Sequence, residues 1–229
     1  MGDVVSIDGP AGAGKSSTAK EVAKELGFLY IDTGAMYRSV TLAAIRNNID
    51  INKDDEITQL ASDLDIGFKR IDGEYHTYLN GEDVSKEIRS SQVADLVSPV
   101  SAIQGVRNVL VEQQRQMAED NNLVMEGRDI GTNVFPDAKY KFYLTADVAV
   151  RARRRMQDYQ QNGQDLTEED IIEEIKKRDK IDSSRKFAPL KKPRGAYVID
   201  TTNLDFNEQV KIIVNRVKDK SGKFNLKQI

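Results

Sequence analysis

Gly9-Pro10-Ala11-Gly12-Ala13-Gly14-Lys15-Ser16 decides how this chain is read. It satisfies G-x-x-x-x-G-K-[ST] at every fixed position, and its flanks supply the context that pattern requires. Before it, Val4-Val5-Ser6-Ile7-Asp8 is a short, almost wholly apolar run, as a buried parallel strand should be. After it, Ala19, Val22, Ala23 and Leu26 recur at helical spacing, and Gly27 suits the cap that ends the helix. Glycines let the backbone curl so that N–H groups converge on a phosphate, and the helix that follows adds the positive end of its dipole. Lys15 is then expected to reach the outer phosphates as a point charge, and the Ser16 hydroxyl to ligate Mg2+.

Working outward, four further apolar runs resemble the first: Phe28-Leu29-Tyr30-Ile31, Leu123-Val124-Met125, Phe142-Tyr143-Leu144 and Tyr197-Val198-Ile199. Helical stretches lie between them, the clearest carrying Val210, Ile213, Val214 and Val217. Alternating strands and helices predict an α/β fold with a parallel sheet covered on both faces. Two segments break the rhythm. Residues 65–84 place Asp72-Gly73 and Asn80-Gly81 between short strand-like runs, which predicts a three-stranded antiparallel lobe with tight turns. Residues 151–194 are polar and helical in tendency, with thirteen basic residues against nine acidic ones. The residues from Ser221 onward read as a loosely held tail.

Composition narrows the chemistry. The 229 residues are 39% hydrophobic and 31% charged, enough for a buried core and unlike a disordered chain. A net charge of −3 speaks against a dedicated nucleic-acid coat or membrane-surface protein. With no cysteine there is no disulfide, zinc–thiolate site, iron–sulfur cluster or thiol nucleophile. A single histidine, His76, excludes a multi-histidine metal site, and its place in the predicted hairpin suits packing better than catalysis. No apolar run approaches a bilayer span and no cationic, apolar leader opens the chain, so the expected location is the cytoplasm. Asn52-Lys53-Asp54-Asp55 formally fits the guanine-reading pattern of GTPases, but it follows a helix and is expected to cap the next one.

A phosphate loop alone serves switches, motors and kinases alike, so the arginines carry the discrimination. Asp32-Thr33-Gly34-Ala35-Met36-Tyr37-Arg38 begins where the second strand ends, and Glu126-Gly127-Arg128-Asp129 follows the third. Both therefore fall at the carboxyl edge of the sheet, where open α/β folds bind ligands. Arg107 is predicted on a helix whose Val106, Val109, Leu110 and Met117 mostly face inward. The run Arg151-Ala152-Arg153-Arg154-Arg155 fits an anion site or a solvated helix face equally well.

These motifs, with Ala188-Pro189-Leu190 and in this order, resemble those of the bacterial cytidylate (CMP/dCMP) kinases, within the P-loop nucleoside monophosphate kinases. The resemblance covers nearly the whole chain and includes the antiparallel insert. It implies a P-loop kinase with a five-stranded parallel sheet flanked by helices, a small β insert and a helical lid. The core would comprise residues 1–37, 106–150 and 195–229, the nucleoside-monophosphate insert residues 38–105, and the lid residues 151–194. ATP would be held by Gly9, Pro10, Ala11, Gly12, Ala13, Gly14, Lys15, Ser16 and Ser17, with Arg154 and Arg155. CMP or dCMP would meet Thr33 and Tyr37, with Arg38, Arg128 and Arg185 on its phosphate. Ser98, Arg107 and Asp129 would read cytosine, and Arg178 with Asp182 the sugar. Lys15, Arg128, Arg178 and Arg185 would be catalytic, with Mg2+ accompanying ATP and a monomer as the acting form. Ile181 and Ser183 stand where some relatives carry arginines, which leaves open which cation touches the transferring group, Arg154 and Arg155 being the substitutes.

Two rival readings share the phosphate loop. A small kinase acting on another monophosphate or on a hydroxyl metabolite would need a base in the latter case, for which Asp32 or Asp129 is available. A nucleotide-regulated module binding nucleic acid through residues 151–155 would show salt-dependent duplex binding.

Overall fold

In the computed structural model, residues 2–161 and 166–219 are described; the tail expected from Ser221 lies outside them. The elements are β1 (Val4–Asp8), α1 (Lys15–Leu26), β2 (Leu29–Asp32), α2 (Thr33–Arg46), α3 (Asp54–Ser62), β3 (Ile66–Ile71), β4 (Glu74–Leu79) and β5 (Glu82–Asp83). They continue with α4 (Ser91–Val100), α5 (Gln104–Met117), β6 (Leu123–Gly127), β7 (Tyr140–Thr145), α6 (Val148–Gln161), α7 (Glu168–Ser184), β8 (Tyr197–Asp200) and α8 (Phe206–Lys218). The five-stranded sheet runs β2-β6-β1-β7-β8, and a separate three-stranded sheet runs β3-β4-β5. Two compact units result, one from the segments up to Leu29 and from Asn121 onward, the other from Tyr30–Asp120.

The first unit owes its order to the central strand. β1 pairs in parallel with β6 on one side and β7 on the other, and every residue of β1 and β6 is buried. Their buried faces are accordingly mostly apolar, with Ser6, Asp8 and Glu126 as the polar exceptions, whereas edge strand β8 leaves Val198 45% exposed. Register then does the positioning: Asp8 stands opposite Gly127 on β6 and Tyr143 on β7, so the loops after β1 and β6 leave the sheet side by side. Helix α1 packs on β6 and α8 through Ala19, Val22 and Ala23. Its end is a Schellman turn, with Gly27 left-handed at φ 69° and the Phe28 amide donating to Ala23 O at 2.9 Å. Phe28 is used in that turn, so β2 starts at Leu29 rather than at Phe28 as the sequence pattern suggests. Helices α6 and α7 pack on each other around Ala152, Ile171 and Ile175.

In the second unit, α2 packs on α3, α4 and α5 around Met36, Val40, Ile57, Val93 and Leu110. The hairpins form where expected. Asp72 and Gly73 have φ of 51° and 88°, and Asn80 and Gly81 50° and 84°, the paired positive values of a tight two-residue turn. β3 and β4 run in register from Ile66↔Leu79 to Ile71↔Glu74. His76 lies on β4 with Nδ1 2.7 Å from Asp83 Oδ2, in an exposed pair. The stretch 52–55 starts α3 as expected, with Lys53 at the capping position and no side-chain cap bond. Asn52 donates its backbone and side-chain nitrogens to Asp50 Oδ1. The acidic first turn, Asp54, Asp55 and Glu56, faces the helix dipole instead.

Candidate active site

The loop after β1 is shaped by glycines that nothing else can replace. Gly9 has φ 152°, and a Cβ there would lie 2.1 Å from Leu144 O. Gly12, at φ 74°, sits against Arg151, whose Cβ and carbonyl oxygen would each be 3.0 Å from an added Cβ. The loop's carbonyls are held by donors around it. Ala11 O accepts from Arg151 Nη1 at 3.0 Å, Ala13 O from Thr201 Oγ1 at 3.3 Å, and Gly14 O from Ser17 Oγ and Thr18 N, both at 3.1 Å. A carbonyl occupied in this way is not offered to an anion, and the N–H groups of the loop take that role. Ser16 is exposed on the first turn of α1.

Lys15 is 5% exposed and donates to Pro10 O at 2.8 Å. Burial, with the charges of Arg128 and, to a lesser extent, Arg178, pulls its ammonium down to about 7, although Glu126 and Asp182 oppose the shift. Burial pushes the Asp8 carboxyl up to about 7 against the pull of two backbone N–H donors, Gly131 and Ile130.

Three guanidiniums from the sequence reading gather on one carboxylate. Arg128 Nε donates to Asp182 Oδ2 at 2.8 Å, and Arg185 lies 3.4 Å from Oδ1. Burial pushes the Asp182 carboxyl up, but Arg128, Arg185 and Arg178 together hold it below the usual range. The helix α7 therefore brings Arg178, Asp182 and Arg185 to the carboxyl end of β6. Asp129 is buried and accepts from Asn133 Nδ2 at 3.1 Å. Past it, residues Ile130–Val134 form a wide π-type turn, with Phe135 N donating to Ile130 O at 2.7 Å.

The cationic run on α6 divides. Arg154 donates to the Thr201 hydroxyl and carbonyl at 2.9 and 2.8 Å, beside the phosphate loop that Thr201 supports. Arg155 points elsewhere, to Glu174 at 2.7 Å and Tyr159 at 3.0 Å within the α6–α7 pair. Arg151 is the residue the sequence reading passed over. It is buried, and its guanidinium holds Ala11 O, Ala146 O and Asp179 of α7 at 3.0, 3.1 and 2.7 Å.

The second unit carries its own set. Asp32 caps α2 by accepting from Ala35 N at 2.9 Å, and takes Arg38 Nη2 at 2.8 Å. Burial favours its neutral form, yet Arg38, the Ala35 amide and Arg89 hold it ionised below the usual range. Arg89 is a cation that no sequence motif pointed to. Arg107 is 3% exposed, donates to Ser101 O at 3.2 Å and stacks 5.4 Å from the Tyr37 ring centroid. Ser98 joins this group through its carbonyl, which accepts from Ser101 Oγ at 2.9 Å, and Thr33 is buried at the start of α2.

Among the described residues no group of three His, Cys, Asp or Glu side chains is placed to hold a metal ion, and no helix is long and apolar enough to cross a membrane. The Ser16 hydroxyl, exposed on the first turn of α1, is an oxygen donor of the kind hard cations accept as a ligand.

Known proteins resemble this chain in sequence and in fold. A sequence model described as cytidylate kinase matches residues 5–219. The cytidylate kinase of Caldanaerobacter subterraneus subsp. tengcongensis is 50% identical over 214 residues, 93% of this chain and 94% of that one. That of Acholeplasma laidlawii is 48% identical over 221 residues, 96% and 97% of the two chains. Among solved structures, an uncharacterized protein from Eubacterium ventriosum ATCC 27560 superposes with a TM-score of 0.54 at 14% identity, over 95% of this chain and 99% of that one, which shows a shared fold.

Proposed function

The chain belongs to the cytidylate kinase family and is a nucleotide kinase, and from that premise we propose that it transfers the γ-phosphoryl group of ATP to CMP or dCMP, giving CDP or dCDP and ADP. The observation that carries this reading is the gathering of Arg128, Arg178 and Arg185 around Asp182, with Lys15 buried in the phosphate loop nearby. Lys15 and these partly exposed guanidiniums outnumber the two carboxylates among them, Glu126 and Asp182, and a polyanion is the ligand that balances the excess.

The chemistry asks for little covalent work. A phosphate monoester has its second pKa at about 6, so the acceptor is already largely deprotonated at neutral pH and needs no base. Two polyanions must meet in line, and the protein's task is to offset their repulsion and hold the spread charge of the transition state. In the proposed arrangement Lys15 and the loop amides of Gly9, Pro10, Ala11, Gly12, Ala13, Gly14, Ser16 and Ser17 hold the donor phosphates, Pro10 contributing contour only because it lacks an N–H. Arg154 borders the donor. Arg38, Arg128 and Arg185 take the acceptor phosphate, Arg178 and Asp182 its sugar, and Ser98, Arg107 and Asp129 its base, with Thr33 and Tyr37 beside them. Mg2+ bound with ATP at the Ser16 hydroxyl would supply charge neutralisation between phosphates. Arginine fits these places because its fork binds phosphate oxygens bidentately and keeps its charge.

Water competes with the acceptor, so residues 151–194 are proposed to close only when both nucleotides are bound. ATP hydrolysis that is equal with and without CMP would argue against closure. The enzyme is proposed to act as a cytoplasmic monomer on free nucleotides. An acceptor panel with ATP and Mg2+ tests the whole reading: CMP and dCMP are expected as the fastest acceptors, and no CDP formation would overturn it.

A further inference from the structure

Asp8 is the last residue of β1, fully buried, and one residue ahead of the phosphate loop. Its two carboxylate oxygens accept the amides of Ile130 and Gly131, each at 2.8 Å. Those amides open the wide turn that follows Arg128 and Asp129, and the first N–H groups of such a turn have no partner within it. The contact is close by construction. A Cβ on Gly131 would lie 2.9 Å from Ser6 Oγ and 2.9 Å from Pro193 Cγ, so only glycine lets the turn sit against β1.

We infer that Asp8 is a positioning residue for the acceptor: by gripping the amides of Ile130 and Gly131 it fixes Arg128 and Asp129 relative to the phosphate loop that begins at Gly9. The carboxyl has two oxygens, one for each amide, and in its ionised form each of these hydrogen bonds is about twice as strong as a neutral one. Backbone pairing alone sets the register of β1 on β6 only as far as Asp8↔Gly127, and the next residues leave the sheet. The Asp8 carboxylate extends that register across the gap, where a displacement of about 1 Å can cost ~10²-fold in rate. The inference rests on the proposed role of Arg128 and Asp129 in holding the acceptor.

Asp8→Asn keeps the side chain's shape but turns an –NH2 toward one of the two amides. With CMP and ATP as substrates, the expected result is a rise of about tenfold in KM for CMP together with a lower kcat, while KM for ATP changes less than about threefold. A variant that raises both KM values equally, or neither, overturns the inference. Arg128→Ala serves as the second arm. If it leaves KM for CMP unchanged, the acceptor role of Arg128 fails; if it raises that KM and Asp8→Asn does not, the positioning role alone fails. Should Asp8→Asn not fold, hydrogen exchange in the wild-type enzyme decides. Protected amides at Ile130 and Gly131 support the grip, and exchange as fast as that of exposed loop amides overturns it.

Discussion

The phosphate loop and the α6–α7 pair are the two cationic regions of one unit, and they are built on opposite terms. In the loop a single lysine suffices because the backbone does the work: glycine conformations bend it and donors occupy its carbonyls. In the helix pair arginines are plentiful, but the protein's own groups answer most of them. Arg151 is taken by Asp179, Arg155 by Glu174 and Tyr159, and Arg153 reaches back to Ala149 O. A count of basic residues therefore overstates the charge available to a ligand, whereas a spacing that dictates backbone shape does not.

Removing the lysine tests the loop's side of this contrast most severely. Lys15→Ala should lower kcat about 10²–10³-fold, the scale for losing one preorganised donor to a developing charge. The melting temperature should not fall, because the ammonium is held buried at a cost. A variant with wild-type turnover would remove the basis for calling the loop the centre of the chemistry.

Arg151 tests the other side, since it belongs to the helix pair but supports the loop. Arg151→Met leaves Asp179 without its partner and frees Ala11 O and Ala146 O. Breaking one half of a buried ion pair costs about 3–5 kcal/mol, and this pair, with Asp179 24% exposed, should lie at or below the low end of that range in urea unfolding. A loss below about 1 kcal/mol would mean that the pair is as dispensable as a surface one.

The pH dependence sharpens the comparison further. Lys15 is pulled down to about 7 from an ordinary value of 10.5, so between those values the unfolded chain binds the extra proton. Stability contributed by this group therefore rises with pH across that window. Melting curves from pH 7 to 9.5 should climb more steeply for the wild type than for Lys15→Met, and equal slopes would contradict the depressed lysine.

The smallest effect is expected at Arg155. Because its pair with Glu174 is partly exposed, Arg155→Ala should cost about 1 kcal/mol or less and change KM for ATP less than Arg154→Ala does. The reverse order would place Arg155, not Arg154, beside the donor.

What was legible in the sequence follows the same division. The loop, the Gly27 stop, the five strands and both hairpin turns each depend on residues near one another in the chain, and their patterns state the geometry directly. The roles of Asp8 and Arg151 depend on partners 122 and 140 positions away, which no local pattern reveals. A signal existed for Asp8: a carboxylate ending an otherwise apolar buried strand demands donors from somewhere. For Arg151 there was none, since five residues with four arginines do not say which turns inward. The stretch 52–55 was legible as a helix start, and α3 begins within it, although Asn52 itself turns back to Asp50. Arg89, with no motif around it, was visible only through its charge on Asp32.

The bond from Lys15 to Pro10 O has a further meaning. Held on the loop's own backbone, the ammonium gives up the freedom of a four-carbon stem, and the entropy of fixing it is lost in folding. The contact also ties the close of the loop to its opening, so that the lysine is a strut for the curve as well as a charge within it.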